Sequence, residues 1–290
     1  MHESNLFGVP DEQGFSLAVG GANHRAQITK DGIPFDLYVT QGRFVGRHAS
    51  GAVIQGPALG GSVITVNHEG VPFYEIVIFR VRTLSFAVGT LPVEAYDLRW
   101  RLAGSSAPPV KNICPGPAKV LDPRPDLLGM EPWETLVYEG DRFAPSTMTV
   151  RAIPDPNWFN YGCAGHTLAK LYLTRQTAAS NPSWAQRQAS LKLMVGAYCP
   201  NSGKTFTVAG TPFRWKGGGV NFWSVPTKLE ARWNQYGATC LNEPRLKDYP
   251  SPEFPEITAM IHAECPTLPA CAPNLNFNDF NGALRITAFP

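Results

Sequence analysis

The chain has 290 residues, with 25 Lys and Arg, 23 Asp and Glu, and a formal net charge of +2. Charged residues make up 17% of the chain, against roughly 25% in an average soluble protein. There is no dense run of Lys and Arg, which excludes the electrostatic footprint of a nucleic-acid-binding protein. No stretch approaches the roughly 20 apolar residues of a transmembrane helix, and residues 1–20 contain no basic-then-apolar signal segment.

The first hundred residues predict an antiparallel β region. Short β-branched and aromatic runs, separated by Gly, Pro, Asn or Asp at intervals of about ten residues, indicate strands. These runs are FSLAVG, RAQITK, PFDLYVT, GRFVGRH, AVIQGPAL, GSVITVNH, VPFYEIVIFRV and EAYDLRWRL. Residues 103–132 contain too many prolines for a regular element, so we predict a loop there and a domain boundary between residues 102 and 103. ETLVYEG and TMTVRAI follow as two further candidate strands.

The hydrophobic pattern then becomes helical. Residues 160–176 and 184–198 predict two helices, and Ser180 or Asn181 is the expected N-cap of the second. An antiparallel pair of helices would bring Cys163, at the start of the first, close to Cys199, just past the end of the second. A disulfide between them would close this helical hairpin and contribute roughly 3–4 kcal/mol.

Beyond residue 200 the pattern returns to strands, in KTFTVAG, TPFRWK, VNFWSV and KLEARWN. A helix over 253–263 and a strand-like tail, GALRITAF, complete the chain. The predicted fold class is therefore α+β. An antiparallel β region over residues 1–102 precedes an α+β domain over 103–290, which contains the disulfide-stapled hairpin and further short strands.

Three segments resemble the ADYC domain, a module named for its Ala-Asp-Tyr-Cys signature. They are YGCAGHTLAKLYL, QRQASLKLMVGAYCPNSGKTFTVAGTPF and LEARWNQYGATCLNEPRL. The signature reads Gly-Ala-Tyr-Cys over residues 196–199, so Tyr198 and Cys199 are kept. The resemblance implies a secreted bacterial protein of the myxobacterial type with disulfides and an α+β fold. It implies no established activity.

The six cysteines favour an oxidising compartment, and hence a secreted, periplasmic or envelope protein; the sequence does not decide whether a leader was removed before Met1. In the ADYC pattern two further cysteines occupy the positions of Leu171 and Ser190 in this chain. Their joint loss is what a disulfide predicts, so the resemblance supports the pairing of Cys163 with Cys199. The remaining expected pairs are Cys265 with Cys271 and Cys114 with Cys240.

Two sets of residues are candidates for catalysis. Cys163 and His166 lie three residues apart at a predicted helix start, where a thiol's pKa is lowered and a histidine can accept its proton. A structural disulfide at Cys163 is the favoured alternative, because a bridged sulfur is not a nucleophile. Carboxylates could supply the acid and base of glycoside hydrolysis, although solvated loop charges are the favoured interpretation. These carboxylates are Glu134, Glu139, Asp141, Glu230 and Glu243.

No metal site or cofactor is predicted. The Gly-Lys-Thr at residues 203–205 lacks the earlier glycine of a phosphate-binding loop. His262 and Glu264, followed by Cys265 and Cys271, lack the Pro-Cys-x-x-Cys segment of a zinc deaminase.

Trp158, Trp215, Trp223 and Trp233 are the candidate binding residues. Trp215 and Trp223 flank a triple-glycine turn, from which indole faces could stack on sugar rings or peptides. Core packing is the alternative, and it is the more frequent role of such residues.

The sequence thus favours a non-catalytic binding or structural protein of the cell exterior or envelope over an enzyme, with a glycan or another protein as its partner. Two alternatives stay open. One is a hydrolase acting on an extracellular polymer, and the other is a self-assembling subunit of a surface layer or filament.

Overall fold

The computed structural model describes residues 2–84, 92–109, 111–114, 130–200, 202–208, 211, 213–217, 220–221, 228–248, 251–272 and 282–289. These residues form two compact units. The described residues of the first unit are 2–84, 92–109, 111–114, 130–142 and 154–172, and the second unit contains the others.

The strands, in chain order, are β1 (Glu3–Asn5), β2 (Phe15–Leu17), β3 (Val19–Gly20), β4 (Arg25–Lys30), β5 (Ile33–Thr40), β6 (Arg43–Arg47), β7 (Val53–Gln55), β8 (Val63–His68), β9 (Val71–Leu84), β10 (Val93–Leu102), β11 (Lys111–Asn112), β12 (Glu134–Gly140), β13 (Phe143–Ala144), β14 (Thr149–Val150), β15 (Asp155–Cys163), β16 (Arg214–Gly217), β17 (Val220–Asn221), β18 (Lys228–Trp233), β19 (Ala238–Leu241) and β20 (Arg285–Phe289). The α-helices are α1 (Thr167–Leu173), α2 (Trp184–Val195) and α3 (Ile257–Glu264). No helix within the described ranges is long and apolar enough to cross a membrane.

In the first unit, thirteen strands form one antiparallel sheet. Its main order is β1-β15-β12-β10-β9-β8-β4-β5-β6-β7, while β11 pairs with β10, β2 with β8 and β3 with β4. The sheet curls around one apolar core, because Phe44 of β6 contacts Phe159 of β15 with ring centroids 5.6 Å apart. The backbone carbonyl of Leu6, just after β1, accepts a hydrogen bond of 2.7 Å from the N–H of Ala26 in β4. Strands from both ends of the sheet, such as β15 and β6, therefore pack on the same core.

Three hairpins of this sheet turn on two residues, a non-glycine followed by a glycine, both at positive φ. In the turn between β4 and β5 the φ angles are 50° at Asp31 and 79° at Gly32. Turns of this kind match the right-handed twist of the flanking strands. The other two turns are Gln41–Gly42 and Glu69–Gly70.

A β-bulge interrupts the pairing of β9 with β10. Asp97 pairs with Arg80 and Leu98 pairs with Ile78, so Phe79 is the extra residue on β9. Strict alternation would place one of two neighbouring residues on the core side. The bulge instead leaves both Phe79 and Arg80 exposed on β9.

The second unit contains a five-stranded antiparallel sheet with the order β17-β16-β20-β18-β19, and β13 pairs separately with β14. Helix α2 packs against β14, β18 and β20. Its N-cap is Ser183, whose side chain accepts a bond from the Gln186 N–H, and it ends at Gly196 with φ of 63°. The predicted cap was wrong because the Asn181 side chain accepts a bond from the Ser183 N–H instead.

The predicted β-rich α+β fold is confirmed in its coarse form, since the chain is mostly β-sheet with three α-helices among the described residues. The helical hairpin is only partly supported. Both helices form, but residues 160–163 belong to β15, because they pair with β12. All of α1 except Leu173 belongs to the first unit, whereas α2 belongs to the second. The boundary predicted at residues 102 and 103 stays a prediction, and β11, β12 and β15 beyond it belong to the first unit.

Candidate functional site

A groove of about 910 Å³ opens on the first unit, where β9, β10 and β11 meet the turn before β12. Its aromatic lining consists of Phe79, Trp100 and Trp133. Phe79 is 54% exposed because of the bulge, while Trp100 and Trp133 are half-buried. The groove thus presents three aromatic side chains that solvent reaches.

Charged side chains line the same groove. Asp97 is buried and accepts bonds from the Arg99 guanidinium at 2.9 and 3.1 Å. The Arg99 guanidinium carbon also lies 3.6 Å from the centre of the Phe79 ring, and Lys111 Nζ lies 5.4 Å from the centre of the Trp100 ring. Arg80 and Lys111 are exposed, and neither forms an ion pair with a residue in the described part of the chain. The lining therefore carries two cations whose charge is not balanced there.

A disulfide fixes one edge of the groove. Cys114, a lining residue just after β11, is bonded to Cys163 at the end of β15, with their Cα atoms 5.4 Å apart. Cys163 pairs with Thr135 of β12, whose hydroxyl oxygen lies 3.1 Å from the Cys114 sulfur. The bridge therefore ties the short strand β11 to two longer strands of the same sheet.

The other two disulfides lie in the second unit and join Cys199 with Cys265 and Cys240 with Cys271. All six cysteines are bridged, but the pairing predicted from the sequence is wrong. Cys163 ends a strand rather than starting a helix, so it meets Cys114 and not Cys199.

The disulfide predicted between Cys265 and Cys271 from their short sequence separation is also wrong. Cys265 follows α3, and the carbonyl of Ile261 in that helix lies 3.8 Å from the sulfur of Cys199. Cys271 instead packs in an apolar cluster with Cys240. The positions of the cysteines on strands and on α3, rather than their spacing in the sequence, determine which of them are bonded. The predicted pair of Cys114 with Cys240 is wrong for the same reason.

The candidate nucleophile pair is not formed, because the Cys163 sulfur is bridged. His166 is exposed, and its backbone N–H donates to the Cys163 carbonyl at 2.9 Å, which closes a turn before α1. Partial burial and the positive charge of Lys170 lower the pKa of His166. The His166 imidazole is therefore mostly neutral at neutral pH.

The predicted tryptophan platform is not exposed. Trp158, Trp215 and Trp233 are 3%, 4% and 0% exposed, whereas stacking on a ligand needs an open ring face. Trp233 donates from its indole N–H to the Thr287 hydroxyl at 2.8 Å. The core-packing alternative describes these three rings, and Trp223 lies outside the described residues.

Three of the candidate acid-base carboxylates lie within the first unit. Glu134 is fully buried and accepts two bonds from the Arg82 guanidinium, at 2.6 and 2.7 Å. Glu139 accepts bonds from the backbone N–H groups of Gln41 and Gly42, at 2.8 and 3.3 Å, and so fastens the turn between β5 and β6 to β12. Asp141 is also buried.

The other two carboxylates lie in the second unit. Glu243 forms ion pairs with Lys228 and Lys247, and these hydrogen bonds lower its pKa. Glu230 binds the Arg245 guanidinium through both oxygens, at 2.8 and 3.1 Å. These contacts are structural ion pairs rather than a pair of carboxyls facing a cleft.

The ADYC signature tyrosine completes that buried site. Tyr198 donates from its hydroxyl to Glu230 at 2.5 Å, and the Arg245 guanidinium carbon lies 4.0 Å from the centre of the Phe213 ring. Tyr198, Glu230 and Arg245 are each 0% exposed. Burial, followed by the Glu230 charge, raises the pKa of Tyr198 far above its ordinary value. Two of the three segments that resemble the ADYC pattern thus supply one buried ion pair and its hydrogen-bonded tyrosine.

Sequence reasoning missed the groove, because its lining comes from four separate segments. One signal was available, since Trp100 lies between two arginines. Within the described residues, no group of three or more His, Cys, Asp or Glu side chains could hold a metal ion.

No curated protein and no solved structure matches this chain. The ADYC domain matches residues 56–247, which is more than half of the chain. This span contains Tyr198, Glu230 and Arg245 as well as the lining of the groove. The chain therefore belongs to the ADYC domain family.

Proposed function

We propose that this protein is exported and binds a partner at the cell exterior or envelope without chemical turnover, with the groove as its binding site. The partner is a glycan or another protein. The observation that carries the proposal is the groove itself, where three aromatic side chains and two unbalanced cations among the described residues surround about 910 Å³. Ligand sites are typically concave, of about 300–1,000 Å³, and combine apolar walls with a few polar groups.

Export is supported by the disulfides. Bridged cysteines persist in oxidising compartments and are rare in the cytosol. All six cysteines of this chain are bridged, and Cys114 places one bridge at the edge of the groove. Secretion from a bacterial cell of the myxobacterial type is part of the same proposal and rests on the ADYC resemblance.

Binding without turnover is supported by the state of the carboxylates. Glycoside hydrolysis needs two carboxyl groups at a set separation across the scissile bond. Asp97 is the one carboxylate among the described lining residues, and Arg99 already binds both of its oxygens. The groove is therefore better suited to holding a ligand than to hydrolysing it.

The test is a binding screen with a matched pair of variants, Phe79→Ala and Phe7→Ala, on an array of glycans and peptides. Both residues are exposed phenylalanines with an arginine over the ring, and only Phe79 lines the groove. We expect Phe79→Ala to weaken binding of the array ligand about tenfold, through loss of one stacking contact. Phe7→Ala should leave the affinity unchanged.

Two results would contradict the proposal. Equal affinities of the two variants would place the binding site outside the groove. Cleavage of the bound ligand, detected by mass spectrometry after incubation with the protein, would show that turnover occurs.

A further inference from the structure

The lining of the groove also specifies a class of ligand. We infer that the ligand is an anionic polysaccharide, a chain of sugar rings that carry carboxylate or sulfate groups. This inference rests on the proposed function of the groove and concerns the chemistry of what it binds.

The charges of the groove call for an anion. Arg80 and Lys111 are exposed and have no acidic partner among the described residues, while Asp97 is neutralised by Arg99. An arginine fork binds the paired oxygens of a carboxylate or sulfate, and a lysine adds a point charge. A neutral ligand would form no ion pair with either cation.

Further aromatic rings lie near the groove on β9. The Tyr74 ring lies 6.3 Å from the Trp100 ring, and the Phe73 ring lies 5.9 Å from the Tyr74 ring. Phe73 is 49% exposed and lies six residues before Phe79, which corresponds to roughly 20 Å along a strand. Exposed rings spaced over that length suit a chain of several sugar units rather than a single sugar.

The backbone of the groove floor argues against a peptide ligand. An extended peptide gains affinity by pairing with the open edge of a sheet. Here β9 is paired with β8 and β10 on its two sides, and β10 is paired with β9, β11 and β12. The floor therefore offers side-chain faces and charges, which suit a polymer whose polar groups are carried on its rings.

Single-stranded nucleic acid would also combine stacking with negative charge. Proteins that bind it follow the backbone with a continuous positive groove. This chain has a formal net charge of only +2, and the described lining has two unbalanced cations. An anionic polysaccharide fits better, because a local contact between its charged rings and two cations does not require a continuous positive track.

The experiment compares polygalacturonate with its methyl ester, in which each ring loses its charge, by quenching of tryptophan fluorescence. We expect at least tenfold tighter binding of polygalacturonate, with an affinity that falls as salt rises. Arg80→Gln or Lys111→Gln should reduce this preference severalfold. Arg47→Gln, at an exposed arginine that does not line the groove, is the matched control and should leave it unchanged. A second comparison, of dextran sulfate with neutral dextran, shows whether sulfate groups are recognised as well as carboxylates.

Three results would overturn the inference. They are equal binding of polygalacturonate and its ester, no binding of either charged polysaccharide, and tighter binding of poly-L-glutamate or oligothymidylate that depends on Arg80 and Lys111. None of them decides the proposed function. That proposal stands if Phe79→Ala weakens binding of the ligand found on the array, and it fails if Phe79→Ala and Phe7→Ala behave alike.

Discussion

Arg245 of the second unit and Arg80 in the groove of the first unit lie beside aromatic residues in opposite settings. In the second unit, Arg245 is fully buried, binds Glu230 through two bonds and stacks on Phe213. In the groove of the first unit, Arg80 is exposed beside Phe79 and has no acidic partner among the described residues. Burial and pairing, rather than residue type, therefore separate an arginine that stabilises the fold from one available to a ligand.

Arg285 of the second unit is an intermediate case. It is 0% exposed, and its guanidinium donates to the Ser190 hydroxyl at 3.0 Å and to the Gln176 side-chain oxygen at 2.7 Å. Burial lowers the pKa of Arg285 to about 10, so the side chain is still charged at neutral pH. Polar oxygens can therefore hold a buried cation.

The largest effect is expected when the buried pair is broken. Arg245→Met leaves the Glu230 carboxylate buried without its cation, which should lower the free energy of unfolding by about 3–5 kcal/mol. Urea unfolding measures the loss. Arg80→Met is the matched control, and it should change the free energy by less than about 0.5 kcal/mol because the side chain is exposed. Similar losses in both variants would remove the contrast between the units.

Removal of the disulfide between Cys114 and Cys163 should destabilise the protein nearly as much. Replacing Cys114 and Cys163 with alanine releases a loop whose ends are 49 residues apart, at a cost of about 4 kcal/mol. Hydrogen exchange should show the loss of protection in β11, β12 and β15 of the first unit. Peptide mapping of the unreduced protein that linked Cys163 to Cys199 would contradict the structure.

Loss of the signature hydroxyl should have a smaller effect. Tyr198→Phe removes one hydrogen bond to the Glu230 carboxylate but keeps its bonds to Arg245, so about 1.5–3 kcal/mol of stability should be lost. Tyr236→Phe, at a tyrosine that is 50% exposed, is the control. Equal melting temperatures of the two variants in thermal unfolding would show that the Tyr198 hydroxyl is dispensable for the fold.

The smallest effect concerns pH. Burial, with a contribution from Asp11, raises the pKa of Tyr74 from 10.0 to about 12. Since the folded state favours the neutral form, the contribution of Tyr74 to stability is present below pH 10 and is lost as pH rises towards 12. Tyr74→Phe should therefore slightly reduce alkaline destabilisation, and ultraviolet titration should lose one late-ionising tyrosine. An unchanged titration curve would contradict the raised pKa.

Much of the first unit could be predicted from local patterns. The segments RAQITK and PFDLYVT alternate in the manner of half-buried strands, and the Asp31–Gly32 turn between them suits a two-residue hairpin. These signals lie within a few residues of one another. The strands β4 and β5 consequently form where the sequence predicts them.

The rest depends on contacts between distant segments. Residues 160–163 fit a helical pattern, but pairing with β12 makes them the end of β15, and this change redirects Cys163 to Cys114. The ADYC resemblance singled out Tyr198 without indicating that its hydroxyl joins the Glu230–Arg245 pair. The groove was missed because no single stretch contains both its rings and its cations.

The position of β20 in the second unit has a consequence for biosynthesis. This strand, Arg285–Phe289, lies in the middle of its sheet, between β16 and β18. A nascent chain that has not yet emerged from the ribosome as far as residue 289 therefore cannot join those two strands. The strands of the first unit are all translated by residue 163, so that sheet can assemble while the remainder is still being made. The second sheet can be completed only after β20 has been translated, and until then β16 and β18 need protection from other exposed strand edges.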